Sequence, residues 1–147
     1  MSAPDPATPT TRRGPGRVLI AVYAVFALAA TSRAVFQIAT QFAVAPLAYV
    51  LSALAAVIYI VATVALARGG RTSVRVATAA CTVELVGVLA VGMLSVLRPD
   101  DFPDATVWSD FGAGYGFVPL VLPVLGLLFL RRVRHEDASG DDGLIVG

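Results

Sequence analysis

Residues 76–97 read VATAACTVELVGVLAVGMLSVL and contain one charged residue, Glu84. A run of this length is typical of a helix that crosses the roughly 30 Å apolar core of a bilayer, because a helix rises about 1.5 Å per residue. Three other apolar runs occur in the chain. We therefore predict an all-α polytopic membrane protein: an antiparallel four-helix transmembrane bundle with a short outer interfacial helix.

The composition of the whole chain also indicates a membrane protein. Of its 147 residues, 57% are hydrophobic and 14% are charged, whereas soluble domains average about 25% charged residues. The net charge is only +1, and the arginines sit at the edges of the apolar runs, so we expect no nucleic-acid partner. The single cysteine, Cys81, can form no intrachain disulfide and is expected to be buried.

The chain divides into a transmembrane domain, residues 18–130, between two cytoplasmic tails. Residues 1–17 contain four prolines and three arginines, a composition that predicts disorder, and residues 131–147 form a charged tail expected to be loose. The predicted spans are residues 18–38, 46–67, 76–97 and 114–130, with a polar loop at 98–113.

Arginine positions predict the orientation, because basic residues are retained on the cytoplasmic side. The first tail, the link between spans two and three, and the last tail each carry three arginines, whereas the other face has Arg98, Arg33 just beneath it, and four aspartates. Both termini are therefore predicted to be cytoplasmic, in a multi-pass protein of the cell membrane.

Span one also permits a second interpretation. An arginine-rich start, the run VLIAVYAVFALAA at residues 18–30 and the small residues of Ala27-Leu28-Ala29 together fit a cleavable signal peptide. Cleavage would leave three spans and place the mature N-terminus outside.

Glu84 is the first candidate functional residue, because an acid about 12 Å inside a span costs roughly 2.5 to 3.5 kcal/mol. Depth along the spans places Tyr59 at about the same level and Tyr23 slightly nearer the cytoplasm. Either phenol is a possible hydrogen-bond partner. Two roles stay open for Glu84: a hydrogen-bonded packing element, or a group that exchanges a proton or binds a cation.

Arg33 is the second buried charge, and Arg33, Gln37 and Gln41 form a polar stripe at a spacing of four residues. Arg33 is expected either to reach the interfacial headgroups or to contact an aspartate beyond the span. The predicted intramembrane polar site comprises Glu84, Tyr59, Tyr23, Arg33 and Gln37.

Residues 98–117, RPDDFPDATVWSDFGAGYGF, are called the outer segment below. Asp101 as N-cap, Pro103 in the first turn and Gly112 at the end predict a helix of about two turns lying on the membrane surface. Its aromatic residues would form an interfacial belt. The segment is predicted either to anchor the chain or to bind a lipid headgroup or an envelope partner, through Asp101, Asp104, Trp108, Asp110 and Tyr115.

The sequence carries no HExxH, GxSxG, CxxC or glycine-rich phosphate-loop motif. We accordingly expect no enzyme, no catalytic residue, no cofactor and no metal. The leading hypothesis is a non-enzymatic subunit or scaffold of an envelope complex, with larger membrane subunits as partners. The alternative is a small transporter or proton-coupled channel that uses Glu84 as a homo-oligomer.

Residues 102–132, FPDATVWSDFGAGYGFVPLVLPVLGLLFLRR, resemble small four-span integral membrane proteins of high-GC actinobacteria that lack an assigned function. The resemblance implies a membrane location and this origin. It supplies no catalytic or binding residue.

Overall fold

The computed structural model describes residues 14–145, with side chains as far as residue 140. The described chain is all-helical and contains no strand. Its four α-helices are α1 (Pro15–Gln41), α2 (Pro46–Arg68), α3 (Arg71–Leu97) and α4 (Val118–Ile145), and two short 3-10 helices, Pro99–Asp101 and Ser109–Tyr115, lie in the outer segment.

Proline and glycine set helix boundaries at both ends of the bundle. Pro15 and Pro46 occupy the first turns of α1 and α2, where the missing N–H leaves no intrahelical bond unmade. Gly69 and Gly70 join α2 to α3 with φ of +69° and +89°. Left-handed backbone of this kind favours glycine, so two residues suffice to reverse the chain.

Three helices are long and apolar enough to cross a membrane. α1, α2 and α3 each contain a window with mean hydropathy of 2.0 or more. A fourth crossing requires that Ser109–Tyr115 and α4 be counted as one bent span, since their axes meet at 97°. The apolar part of α4, residues 118–130, has 13 residues and is only about 20 Å long.

Three helix boundaries differ from the predicted limits of the tails and of span four. The first tail was predicted to extend to residue 17, but α1 begins at Pro15; residues 1–13 lie outside the described part. Span four was predicted from residue 114, but positive φ at Gly116 and Phe117 delays α4 to Val118. The last tail was expected to be loose, but α4 continues through it to Ile145, because no proline follows Pro123 to stop the helix.

Neighbouring helices pack through small residues at intervals of three and four. The α1 face that points inward includes Ala27, Ala30 and Ala34, and the α2 face includes Ser52 and Ala56. Small side chains at this spacing allow backbones to approach closely. α1 packs on α2, α2 on α3, and α3 on α4, while α4 also touches α1 and so closes the bundle.

Candidate functional site

Glu84 lies at the centre of the bundle and is fully buried. The Tyr23 hydroxyl on α1 donates a hydrogen bond to Glu84 Oε2 at 2.7 Å, and the Tyr23 hydroxyl oxygen also lies 3.3 Å from Cys81 Sγ. Because a phenol has one proton, donation to Glu84 makes the Cys81 thiol the donor to Tyr23. These three residues, the inner site, join α1 to α3 across the bundle.

Gly126 on α4 makes room for the inner site. A Cβ at this position would lie 2.9 Å from Cys81 Sγ and 3.5 Å from the Tyr23 hydroxyl oxygen. The first distance is shorter than packed side chains tolerate, so any larger residue would push α4 away from α3. Glycine here serves close helix approach.

One oxygen of the buried carboxyl is left without a partner. Glu84 Oε1 accepts no hydrogen bond within the described chain. Tyr23 thus fulfils the predicted role of a phenol partner, but Tyr59 does not. Tyr59 instead receives a hydrogen bond from Trp108 Nε1 at 3.0 Å, because the indole reaches it from the outer segment.

Trp108 is a core residue, although we predicted it in the surface aromatic belt. It is 1% exposed, and its ring covers Gly87 of α3 so closely that a Cβ there would lie 2.7 Å away. Phe111 covers Gly92 in the same way, at 2.5 Å. Two glycines on α3, called the glycine seats below, therefore leave the space in which two aromatic rings of the outer segment pack. This space is why the two rings point into the bundle.

An aromatic column connects the inner site to the outer segment. The ring centroids of Tyr23 and Tyr59 are 6.2 Å apart, those of Phe26 and Tyr59 are 5.7 Å apart, and those of Phe26 and Tyr115 are 6.0 Å apart. These separations are typical of packed aromatic pairs. The column therefore packs α1, α2 and the outer segment against one another.

Arg33 ties α1 to the outer segment, but not through an aspartate. Its Nη1 donates to the Tyr115 hydroxyl, and its Nη2 donates to the Ala105 carbonyl oxygen at 3.0 Å. Of the two predicted roles of Arg33, the contact with an aspartate is not found among the described residues. Asp104 instead accepts a hydrogen bond from the Tyr49 hydroxyl of α2 at 2.9 Å.

The predicted helix from Asp101 to Gly112 is wrong. A 3-10 turn ends at Asp101, and the next helical residue is Ser109. The Thr106 hydroxyl accepts from the backbone N–H groups of Trp108 and Ser109, each at 3.0 Å. Side-chain bonds of this kind satisfy the backbone in a turn and compete with a helix.

The outer segment is held down on α3 by a further backbone contact. The Asp110 N–H donates to Ser95 Oγ at 2.8 Å, and Asp110, Phe111 and Gly112 all have left-handed backbone. Sequence reasoning missed the roles of Ser95 and the two glycine seats. The sequence does contain a signal for these contacts, since Gly87, Gly92 and Ser95 are small residues among larger apolar residues of α3. It does not identify their partners, because those residues lie in the outer segment.

The predicted intramembrane site is in fact two sites. Gln37 is buried and its Oε1 has no partner in the described chain, but it lies 14 residues beyond Tyr23 on α1, about 21 Å along the helix. Glu84 and Tyr23 therefore belong to the inner site. Arg33 and Gln37 belong to the outer end.

The predicted interaction residues of the outer segment have different surroundings. Asp101 and Asp110 are exposed, as is Asp100. Trp108 is buried, while Asp104 and Tyr115 are partly buried and hydrogen-bonded to α2 and α1 respectively. Only exposed carboxylates are thus presented outward, and the other predicted residues hold the segment in place.

Within residues 14–140 no three His, Cys, Asp or Glu side chains are grouped so that they would hold a metal ion. At the opposite end of the bundle, Arg71 at the start of α3 pairs with Asp137 of α4 at 3.4 Å.

No protein-family model, curated protein or solved structure matches the chain. The resemblance to actinobacterial membrane proteins therefore stays a prediction.

Proposed function

We propose that the chain is an integral protein of the cell membrane that crosses the bilayer four times and acts as a non-enzymatic subunit or scaffold of an envelope complex. The membrane location is supported by the distribution of polarity. Leu28, Val57, Val86 and Leu128, one from each α-helix, are 56–72% exposed, whereas Glu84 is fully buried. Exposed apolar area of this extent is stable in lipid but not in water.

The fourth crossing combines α4 with the end of the outer segment. The apolar part of α4 covers about 20 Å of a roughly 30 Å core. The 3-10 helix Ser109–Tyr115 turns across the end of α4, since their axes meet at 97°, and it packs on α3 and α4. Irregular backbone at membrane depth is tolerated where protein covers it.

Both termini are proposed to be cytoplasmic. The Arg71–Asp137 pair brings the start of α3 and the far part of α4 to one end of the bundle, and nine arginines belong to that end in the sequence. The positive-inside rule assigns this end to the cytoplasm. Retention of span one is supported by Tyr23, because cleavage after Ala29 would remove the hydrogen-bond donor of Glu84.

Reporter fusions test this topology. A reporter that is active only in the cytoplasm should work at the C-terminus, and one that is active only outside should work when inserted after Asp100, which is exposed. An outward C-terminus would refute the four-span arrangement. Intact mass of the purified protein tests span one separately, since cleavage would shorten the chain.

The scaffold role is supported by how firmly the outer segment is held. Arg33 and Tyr49 donate hydrogen bonds to it and Ser95 Oγ accepts one from it, which fastens it to three different helices, and Trp108 anchors it in the core. Loops without such anchors are mobile. A fixed segment with exposed carboxylates is preorganised to dock a cationic partner, because little conformational entropy is lost on binding.

Cross-linking in native membranes tests the scaffold role. We expect larger, unlike subunits to co-purify with the protein, and the triple change of Asp100, Asp101 and Asp110 to asparagine to reduce their yield severalfold. Glu136→Gln, an exposed acid at the opposite end, is the matched control. Equal yields from the triple variant and the control would refute docking through the outer segment.

The alternative function, a proton-coupled channel or transporter, is favoured by one observation. Glu84 Oε1 is buried and has no hydrogen-bond partner among the described residues, and an ionisable group inside a membrane domain is retained for function more often than for packing. Proton flux into liposomes, measured with a pH-sensitive dye, distinguishes the two functions. Flux that requires Glu84, and is lost in Glu84→Gln of a pure homo-oligomer, would replace the scaffold proposal.

A further inference from the structure

A pocket of about 110 Å³ lies between α1 and the outer segment. Phe26, Ala29 and Arg33 of α1 line it, together with Ser52 of α2 and with Val107 and Tyr115 of the outer segment. An apolar cavity of about 150 Å³ holds a benzene molecule, so this pocket accommodates a short hydrocarbon segment. Its rim includes exposed Ala29, which leaves the pocket open to the exterior apolar surface of the bundle.

Arg33 brings to this pocket a positive charge that makes no direct ion pair among the described residues. Its two hydrogen-bond acceptors, the Tyr115 hydroxyl and the Ala105 carbonyl, are both neutral. The two ion pairs of the described chain involve other arginines. A guanidinium has five N–H donors, and a partly desolvated cation without a counter-ion favours the arrival of an anion.

Arg33 and the apolar pocket are arranged along the bundle in the same order as the headgroup and the acyl chains of an outer-leaflet lipid. Arg33 follows Phe26 by seven residues on α1, which places it about 10 Å nearer the outer surface in the topology proposed above. A lipid in that leaflet has its headgroup outward and its acyl chains toward the midplane. The apolar pocket and the cation are stacked in the same order.

We propose that Arg33 and this pocket bind one outer-leaflet lipid with an anionic phosphodiester headgroup. The guanidinium donates hydrogen bonds to the phosphate, and a segment of one acyl chain fills the space against Phe26 and Ala29. Arginine suits this task because its fork of N–H groups matches the oxygens of a phosphate. The proposal rests on the membrane location and orientation of the proposed function, but not on the scaffold role.

Trp108 provides a built-in probe of the site. It is the only tryptophan in the chain, and its indole bonds to Tyr59, whose ring packs on Phe26 of the pocket. Lipids with brominated acyl chains quench nearby tryptophan. In phosphatidylcholine vesicles that contain phosphatidylglycerol, we expect brominated phosphatidylglycerol to quench Trp108 at about a tenfold lower mole fraction than brominated phosphatidylcholine. Both lipids present a phosphate to Arg33, but the choline cation of phosphatidylcholine offsets the charge of its phosphate and repels the guanidinium.

Three variants test the assignment. Arg33→Gln should abolish the tenfold preference, and Arg98→Gln, an exposed arginine already near Asp101, should retain it. Ala29→Phe should also lower it severalfold, because the ring occupies the pocket while the Arg33 contacts stay intact. Equal loss in Arg98→Gln, or an unchanged preference in Ala29→Phe, would overturn the proposal. If Arg33→Gln fails to accumulate, Ala29→Phe alone decides.

A soluble competitor separates a lipid from a free phosphate. Millimolar glycerol phosphate should leave the quenching by brominated phosphatidylglycerol unchanged, because it has no acyl chain for the pocket. Full displacement would show a headgroup site without acyl binding and would overturn the proposal. The reporter fusions keep the two hypotheses apart: an absent preference with an outward-facing outer segment overturns the lipid site only, whereas an inward-facing outer segment overturns the topology.

Discussion

Replacing Tyr23 by phenylalanine removes a single oxygen atom from the centre of the bundle. Glu84 Oε2 then loses its donor at 2.7 Å, and Oε1 has none in the described chain, so the buried carboxyl keeps no hydrogen bond. A buried polar group left unsatisfied costs about 1 to 3 kcal/mol. Bonds between membrane helices average about 0.6 kcal/mol and reach about 1.7. Since Glu84 is fully buried, we expect a loss near the upper value, about 1.5 kcal/mol.

The measurement is equilibrium unfolding in mixed detergent micelles, carried out in two backgrounds. In the Glu84→Met background the carboxyl acceptor is gone and Tyr23 keeps only the weak contact with Cys81 Sγ at 3.3 Å, so the same Tyr23→Phe change should cost less than about 0.5 kcal/mol. The difference between backgrounds isolates the hydrogen bond from the packing of the ring. A Tyr23→Phe cost that is the same in both backgrounds would refute the idea that Tyr23 stabilises the bundle through Glu84.

Three further perturbations follow from the glycine contacts and the buried thiol. Gly87→Ala should displace the Trp108 ring and shift its emission to the red, whereas Gly114→Ala, where an added Cβ meets nothing within 4 Å, should leave the spectrum unchanged. Gly126→Ala should destabilise the bundle by about 1 to 3 kcal/mol through overpacking, measured by the same unfolding assay; no loss would contradict close approach of α4. Cys81 is fully buried, so a membrane-permeant maleimide should label it only as fast as the protein unfolds. Labelling should be faster in Gly126→Ala, because that variant is expected to unfold more readily. Rapid labelling of the native protein would contradict the burial of Cys81.

Much of the helical core was predictable because its causes are local. Apolar runs at residues 18–38, 46–67 and 76–97 contain the signal for α1, α2 and α3, and Pro46 fixes the start of α2. The end of α4 was not predictable in this way. Charged residues after 130 suggested a loose tail, but charge alone does not stop a helix, and the nearest proline precedes that tail.

The inner site was predictable in part, for the same reason. Depth along straight helices places Tyr23 and Tyr59 near Glu84, and Tyr23 does bond to it. The depth of a residue along its helix does not show, however, how that helix is rotated about its axis. It also does not reveal that Trp108 donates its hydrogen bond to Tyr59. That contact depends on Gly87, 21 residues earlier in the chain, and on a turn whose bonds compete with the predicted surface helix.

The dependence of Gly87, Gly92 and Tyr59 on contacts with the outer segment has a consequence for biogenesis. Because α1, α2 and α3 all precede Trp108 in the chain, a three-helix intermediate that lacks the outer segment has open clefts at Gly87 and Gly92 and an unbonded Tyr59. In the proposed topology, the bundle is therefore completed only after residues 98–117 have crossed the membrane. Chains truncated before this point should be recognised by membrane quality control and degraded, although all three of their helices are long enough to insert.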